Sequence, residues 1–329
     1  MKTRWRFFFG VVIIAILFYI LKEVNFLAIY QTLGKIKPKF FLLAFASHTL
    51  GILVFSVRGM IALRDLAEHK FWFFLRTTLA GSFINVITPG SQVGGEPIRA
   101  YFLAKKYDKP KAKVFGAVLA DRIIHGAASL FFIIASLLFI LTYIPVSEEL
   151  KTIFQAILFF LLAFLGFILF LNLKKTKFNF TSFLKKIGIL KKIKSNKKIR
   201  HLGEDVGNFA VYFKKTIFDK KTLWFGLLFS LVYWIFNYLA SYFLFLSLGV
   251  SISFFLVVVV VSLGNLIGDF SPTPGGIGLV EGFMIFLYSI IGINLSAAIV
   301  VSLLSRFIGY FYSLVLGSMS LIWLEKELG

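Results

Sequence analysis

Cysteine is absent from this chain of 329 residues, which excludes disulfides, thiolate nucleophiles and thiolate-ligated metal centres. Histidine is scarce. His48, His69, His125 and His201 are scattered without metal-ligand spacing, so neither a metal nor a cofactor is expected. Acids are few, 15 Asp and Glu against 36 Lys and Arg, for a formal net charge of +21. Long polar stretches are lacking too. The longest polar interval is 174–221, which leaves no room for a large soluble domain. No Ser–His–Asp set has an interpretable spacing, and no glycine-rich loop follows a strand, so a dinucleotide fingerprint is excluded.

Apolar surface is abundant instead. Hydrophobic residues make up 59% of the chain, aromatics 18%, and the mean hydropathy is +0.88. A soluble domain has no use for so much apolar surface. Apolar spans occur near 5–21, 39–63, 71–87, 113–142, 150–173, 222–248, 252–270 and 295–325, several of them reaching the ~20 residues needed to cross a bilayer core. The N-terminal stretch has the basic start of a signal peptide but no small-residue cleavage site, and reads as an uncleaved first helix. The sequence therefore predicts a single integral membrane domain over 1–329, an all-α polytopic protein of the cell membrane.

The basic residues fall in loops beside these spans, which fits cytoplasmic membrane loops and anionic lipid headgroups better than nucleic acid. Segment 174–221 holds 15 Lys and Arg and 3 Asp and Glu, and the loop 105–113 is basic as well. Both are expected in the cytoplasm with the two termini, and the joint IPVSEEL outside. Phe178, Phe180, Phe183, Leu184, Ile187 and Leu190 interleave with lysines, as an amphipathic helix lying on a membrane requires.

Two polar interruptions stand out. TPGSQVGGE fills 88–96 and TPGGIGLVE fills 273–281, each with Thr-Pro-Gly and a Glu eight positions after the Thr. The apolar piece that follows each is short, about 97–104 and 279–292. The first, roughly 12 Å as a helix, cannot cross a bilayer. Two re-entrant hairpins are predicted, broken at Thr88, Pro89, Gly90, Gly94 and Gly95 and at Thr273, Pro274, Gly275, Gly276 and Gly278. Charge-derived topology has them entering from opposite faces. Pro89 precedes Arg122 by 33 residues and Pro274 precedes Arg306 by 32. These matches predict an inverted-topology repeat, copy one at about 40–140 and copy two at about 224–325, with 150–173 as the connecting helix.

Charged groups inside apolar spans cost about 2.5–3.5 kcal/mol each even on the mildest scale, so they mark function or ion pairing. The candidate substrate-binding set is Asn85, Glu96, Arg99, Asp121, Arg122, Asp269, Glu281 and Arg306. Pro97 suits a first helical position, which makes Glu96 an N-cap. Asn85 and Asn265 are expected to satisfy backbone groups freed by the breaks or to line a polar cavity. Arg58 and Arg99 fit a snorkelling position at the interface. Asp121 and Arg122 do not face each other on one helix, so each needs a partner elsewhere.

Taken with its spacing, N-x-x-TPGSxVGGExxRAYxL (Asn85–Leu103), the later Asp121-Arg122 and SPTPGGIGLVEG (Ser271–Gly282) resemble the lysylphosphatidylglycerol synthase transmembrane family. That family includes the flippase domain of MprF-type proteins and the YbhN-like and AglD-like membrane proteins. The likeness covers about 5–325. It implies a polytopic helical protein, lipid translocation in the MprF-type members, and glycolipid or polyprenyl-linked pathways in others. The sequence ends at Gly329 with no soluble aminoacyl-transferase domain, so translocation rather than lysyl-lipid synthesis is the expectation. The expected function is a flippase or scramblase without its own ATPase. A membrane-embedded glycosyl- or lipid-modifying transferase, using Glu96, Asp121 or Glu281 as acid or base, is the rival. A non-catalytic membrane partner of such an enzyme is the third reading. Expected partners are membrane lipids with an anionic headgroup, with a second copy of the chain and a partner enzyme as further candidates; nucleic acid is not expected.

Overall fold

A computed structural model describes residues 26–66, 70–88, 94–173 and 197–328. The expected first span, near 5–21, and the aromatic–lysine pattern of 178–190 lie outside the described residues. Every regular element among the described residues is helical. In chain order they are α1 (Phe26–Leu33), α2 (Pro38–Ala62), α3 (Phe71–Ile87), α4 (Gly95–Lys106), α5 (Lys111–Tyr143) and α6 (Glu148–Leu173). After these come α7 (Lys197–Phe218), α8 (Lys220–Ser247), α9 (Phe254–Phe270), α10 (Leu279–Ile290), α11 (Leu295–Tyr310) and α12 (Gly317–Leu328). A 3₁₀ turn, Pro274–Gly276, stands between α9 and α10, and a π-helical turn, Phe311–Leu316, joins α11 to α12.

Among the described residues α2, α5, α8 and the continuous α11–α12 rod are long and apolar enough to cross a membrane, while α3, α9 and the stretch Pro274–Ile290 are apolar but shorter. At 1.5 Å per residue, α4 spans only about 18 Å of a hydrocarbon core ~30 Å thick. The chain is an all-α polytopic membrane protein.

Local chemistry sets the helix limits. Pro38 opens α2, where its missing N–H is lost anyway. The Asp219 carboxylate caps α8 by accepting the Thr222 N–H at 2.7 Å, and the Asn294 side chain caps α11 by accepting the Ser296 N–H at 3.0 Å. α3 stops at Ile87 and α9 at Phe270, and in each case Thr-Pro follows within a few residues; proline disfavours helix in the residue before it. One helix start departs from expectation. α4 begins at Gly95 with Gly94 as N-cap, so Glu96 lies inside the first turn and is not the cap. The Asn85 side chain does the capping from across the break: its Oδ1 accepts the Gly95 N–H at 2.7 Å. This leaves the Glu96 carboxylate free to turn toward α5.

The two halves pack in matching ways. α2 and α8 pack most extensively and run antiparallel: the Lys37 N–H donates to the Ser247 carbonyl at one end, and Arg58 Nη1 donates to Ser230 Oγ further along. α3 packs on α12, with Arg76 stacked on the Trp323 ring and Gly317 against the Leu79 carbonyl. Its counterpart α9 packs on α5. Each half thus lays its broken hairpin against the long span that α5 or α11–α12 supplies. The two breaks meet: a carbon added at Gly275 would stand 3.5 Å from the Val86 carbonyl oxygen in the last turn of α3.

α7 is amphipathic and packs on the start of α5, where the Phe209 carbonyl occupies the place a Gly116 side chain would take. It is tied to the end of α2 by Lys215 Nζ and Asp65 at 2.8 Å, and that hydrogen bond raises the Lys215 pKa. The basic segment 174–221 reaches into the next helix. Its last two residues already belong to the span α8, because Asp219 starts a new helix there.

Candidate functional site: a charged cavity between the two halves

A cavity of about 310 Å³ lies where the two broken hairpins meet. Both halves build it. The first contributes Asn85, Glu96, Arg99, Arg122 and His125, and the second Asn265, Gly275, Met284, Ser305 and Arg306. α8 adds a polar and aromatic wall of Tyr233, Trp234 and Asn237.

In each half the glutamate that follows the break faces the arginine of the next long helix. Arg122 Nε stands 3.6 Å from Glu96 Oε1, and Arg306 Nε stands 2.6 Å from Glu281 Oε1. The repeated spacing is thus a spatial pairing, and it leaves the two sites differently satisfied. In the second half Glu281 Oε2 also accepts the Gly278 N–H at 2.8 Å, and Arg306 Nη1 donates to the Gly275 carbonyl at 2.9 Å. The turn adopts positive φ at Gly275, Gly276 and Gly278, which side-chain-bearing residues rarely tolerate, and this aims the Gly275 carbonyl at the arginine. Thr273 Oγ1 closes the same turn by donating to the Ile277 carbonyl at 3.0 Å. In the first half Thr88 Oγ1 donates back to the Ile84 carbonyl at 2.7 Å, and Glu96 Oε2 is buried with no hydrogen-bond partner among the described residues. Pro89 and Gly90 of the first motif lie outside the described residues.

Behind the first pair lies a second, deeper one. Arg58 grips Asp121 with two hydrogen bonds of 2.9 Å, and each residue is 1% exposed. Arg99 Nη1 reaches the same carboxylate at 4.0 Å, while its Nε and Nη2 are buried and without partners among the described residues. The expected snorkelling of Arg58 and Arg99 is therefore corrected: both are buried. Close helix approach at two glycines makes room for Arg99. A carbon at Gly59 would stand 2.8 Å from Arg99 Nη2, and one at Gly81 would stand 3.0 Å from Arg99 Cγ.

Of the sequence-derived candidates, Asn85, Glu96, Arg99, Arg122 and Arg306 line the cavity. Glu281 adjoins it through Arg306. Asp121 is not in the lining but behind it, engaged by Arg58. Asp269 is exposed and also outside the lining, although the neighbouring Gly268 belongs to it. Sequence reading missed His125, stacked on Trp234 with ring centroids 5.3 Å apart, and the Tyr233–Asn237 wall. Polar residues within one turn of a long apolar span were the available signal for that wall.

Four buried or half-buried arginines and three acids, held beside two broken hairpins in an apolar helical scaffold, define a polytopic membrane protein with a polar site enclosed by its two halves. The family described as "Lysylphosphatidylglycerol synthase TM region" matches residues 7–317, and the chain belongs to that family. It is 30% identical over 317 residues to a UPF0104 membrane protein of Methanocaldococcus jannaschii, covering 91% of this chain and 89% of the relative. A UPF0104 membrane protein of Pyrococcus horikoshii is 28% identical over 300 residues, with 88% of each chain covered. A further relative from M. jannaschii is 27% identical over 249 residues, 75% of this chain and 96% of its own length.

Proposed function

We propose that this protein is a lipid translocase, a flippase or scramblase that passes the polar headgroup of a membrane lipid through the cavity while the acyl or prenyl tails stay in the bilayer. The observation that supports this reading is the cavity itself, lined by arginines from both halves and bounded by two broken helices that meet. Inverted repeats that meet at a central site can rock between two access states, as alternating access requires. An anionic headgroup suits the site because arginine binds phosphate with planar, charge-assisted hydrogen bonds. The lysine-rich loops support an orientation with the N-terminus, segment 174–221 and the C-terminus in the cytoplasm of a cell membrane.

The test is reconstitution into liposomes holding a panel of lipids with headgroup fluorophores, followed by quenching from outside. Protein-dependent loss of the protected inner-leaflet signal is expected for at least one phospholipid class. A folded, correctly inserted protein that moves none of the phospholipids, glycolipids or prenyl-phosphate lipids would end this reading. Labelling of a Ser195→Cys variant by an impermeant thiol reagent from outside intact cells would overturn the orientation.

A further inference from the structure

The two hairpins are alike in sequence and unlike in what they leave unsatisfied. Glu96 and Glu281 hold matching places after the two breaks. Three residues further on, one helical turn along the same face, stand Arg99 and Met284. Both line the cavity. The second hairpin carries a thioether there, and its ion pair is closed by the Gly278 N–H and the Gly275 carbonyl. The first carries a guanidinium. The carboxylate it reaches, Asp121 at 4.0 Å, is already engaged twice by Arg58.

Most of the buried polar atoms without partners among the cavity residues fall in the first half. Thr78 Oγ1, Glu96 Oε2, Arg99 Nε and Nη2, and His125 Nδ1 belong to the first half, and Trp234 Nε1, on α8, and Asn265 Nδ2, on α9, to the second. Arg99 is 3% exposed and Glu96 6%. Buried polar groups are nearly always hydrogen-bonded, so a concentration of unsatisfied ones around one cavity marks where a polar ligand is received.

We infer that the first hairpin is the headgroup seat, with Arg99 taking the phosphodiester of a lipid and Glu96 taking a hydrogen-bond donor on the headgroup beyond it. This rests on the translocase reading and adds the ligand's chemistry to it. Neighbours three apart on a helix have Cβ atoms about 5–6 Å apart, close to the separation of a phosphorus from a hydroxyl or ammonium four bonds further along a headgroup. The favoured class is a phosphodiester carrying a hydroxyl or primary ammonium. A quaternary ammonium headgroup has no donor for Glu96, and a diacylglycerol has no phosphate for Arg99. The second hairpin lines its side of the passage with Met284 and Val280 beside Asn265 and a closed ion pair.

The experiment measures lipid-induced thermal stabilisation and lipid retention in native mass spectrometry for the purified full chain. The probes are phosphatidylglycerol, phosphatidylethanolamine, phosphatidylcholine, diacylglycerol and soluble glycerol 3-phosphate. Phosphatidylglycerol and phosphatidylethanolamine are expected to bind about tenfold or more tighter than phosphatidylcholine, and diacylglycerol least, since each tenfold corresponds to one good hydrogen bond. Arg99→Met, which copies the second hairpin, is expected to abolish the preference for phospholipid over diacylglycerol. Arg99→Lys is expected to keep part of it. Glu96→Gln is expected to reduce the discrimination against phosphatidylcholine. Equal binding of all three phospholipids by the native protein, or native selectivity in a folded Arg99→Met variant, overturns the assignment. A glycerol 3-phosphate response as large as that of phosphatidylglycerol identifies a soluble phosphoester and overturns the lipid. Selective binding without transfer in liposomes would remove the translocase and leave the seat; transfer unaffected by these substitutions would do the reverse.

Discussion

The first and second hairpins use one motif to different ends. Both carry Thr-Pro-Gly after an apolar helix, both go on to a short helix with a glutamate in its first turn, and both oppose that glutamate with an arginine on the next long helix. The second is a closed unit, in which the carboxylate, the guanidinium, the turn carbonyl and the helix N–H are satisfied within the half. The first is open. Its ion pair is a full ångström longer, it holds an additional buried arginine, and several of its polar atoms have no partner among the described residues. Two copies of one motif supply a scaffold with two equivalent breaks; a site with direction needs the copies to diverge, and here they diverge in how completely each satisfies itself.

The largest expected effect comes from the deep pair of the first half, Arg58 and Asp121. Asp121→Ala leaves Arg58 charged, buried and without its carboxylate, and is expected to cost about 3–5 kcal/mol. Thermal unfolding in detergent should show this as loss of expression or early melting; a near-native melting temperature would mean that Arg58 finds another partner and that the deep pair is not the anchor of the first half.

Next are the matching arginines. Arg306→Gln removes a close ion pair and a hydrogen bond to the Gly275 carbonyl, and is expected to destabilise by about 1–3 kcal/mol. Arg122→Gln takes the cation from the buried Glu96 carboxylate and is expected to destabilise on the same order, about 1–3 kcal/mol. Both variants are expected to lose lipid transfer. Normal transfer by a well-folded double variant would remove both arginines from the function.

Asn85→Ala tests the cap that spans the first break. Losing the acceptor of the Gly95 N–H is expected to cost about 1 kcal/mol, read as a small drop in melting temperature with faster amide exchange at the start of α4.

The smallest effect concerns the seam outside the membrane spans, where Arg64 at the end of α2 reaches Asp219 at the start of α8 at 2.8 Å. The Thr222 backbone N–H, helped by Arg64, lowers the Asp219 pKa. A carboxylate with a depressed folded pKa contributes stability above its unfolded value, near 4, and loses that contribution as pH falls through the folded value. Acid titration of the native protein should therefore show a slightly steeper loss of stability below about pH 4 than Asp219→Asn shows. Identical profiles would leave the cap without electrostatic weight.

Much of the scaffold was legible in the order of residues. Apolar runs marked the spans, and α3 covers 71–87 as expected, because a proline close behind it enforces its end. The Thr-Pro-Gly breaks, the motif spacing and the lysine-rich loops required no three-dimensional information, since each depends on local backbone chemistry or on the cost of charge in lipid. The family followed from the same motifs. The Glu96 cap did not: a capping rule reads neighbours along the chain, whereas the Gly95 N–H is satisfied from across the break by Asn85. Snorkelling of Arg58 and Arg99 failed for a related reason. Depth along a span is visible in sequence, but the room that Gly59 and Gly81 leave for a guanidinium exists only once helices pack. Composition and spacing determined that this chain would place arginines and glutamates in an apolar bundle. Only the tertiary structure decided which of them pair, because ion pairs and cavities form between segments far apart in sequence, and it is that pairing which closes one hairpin and leaves the other open.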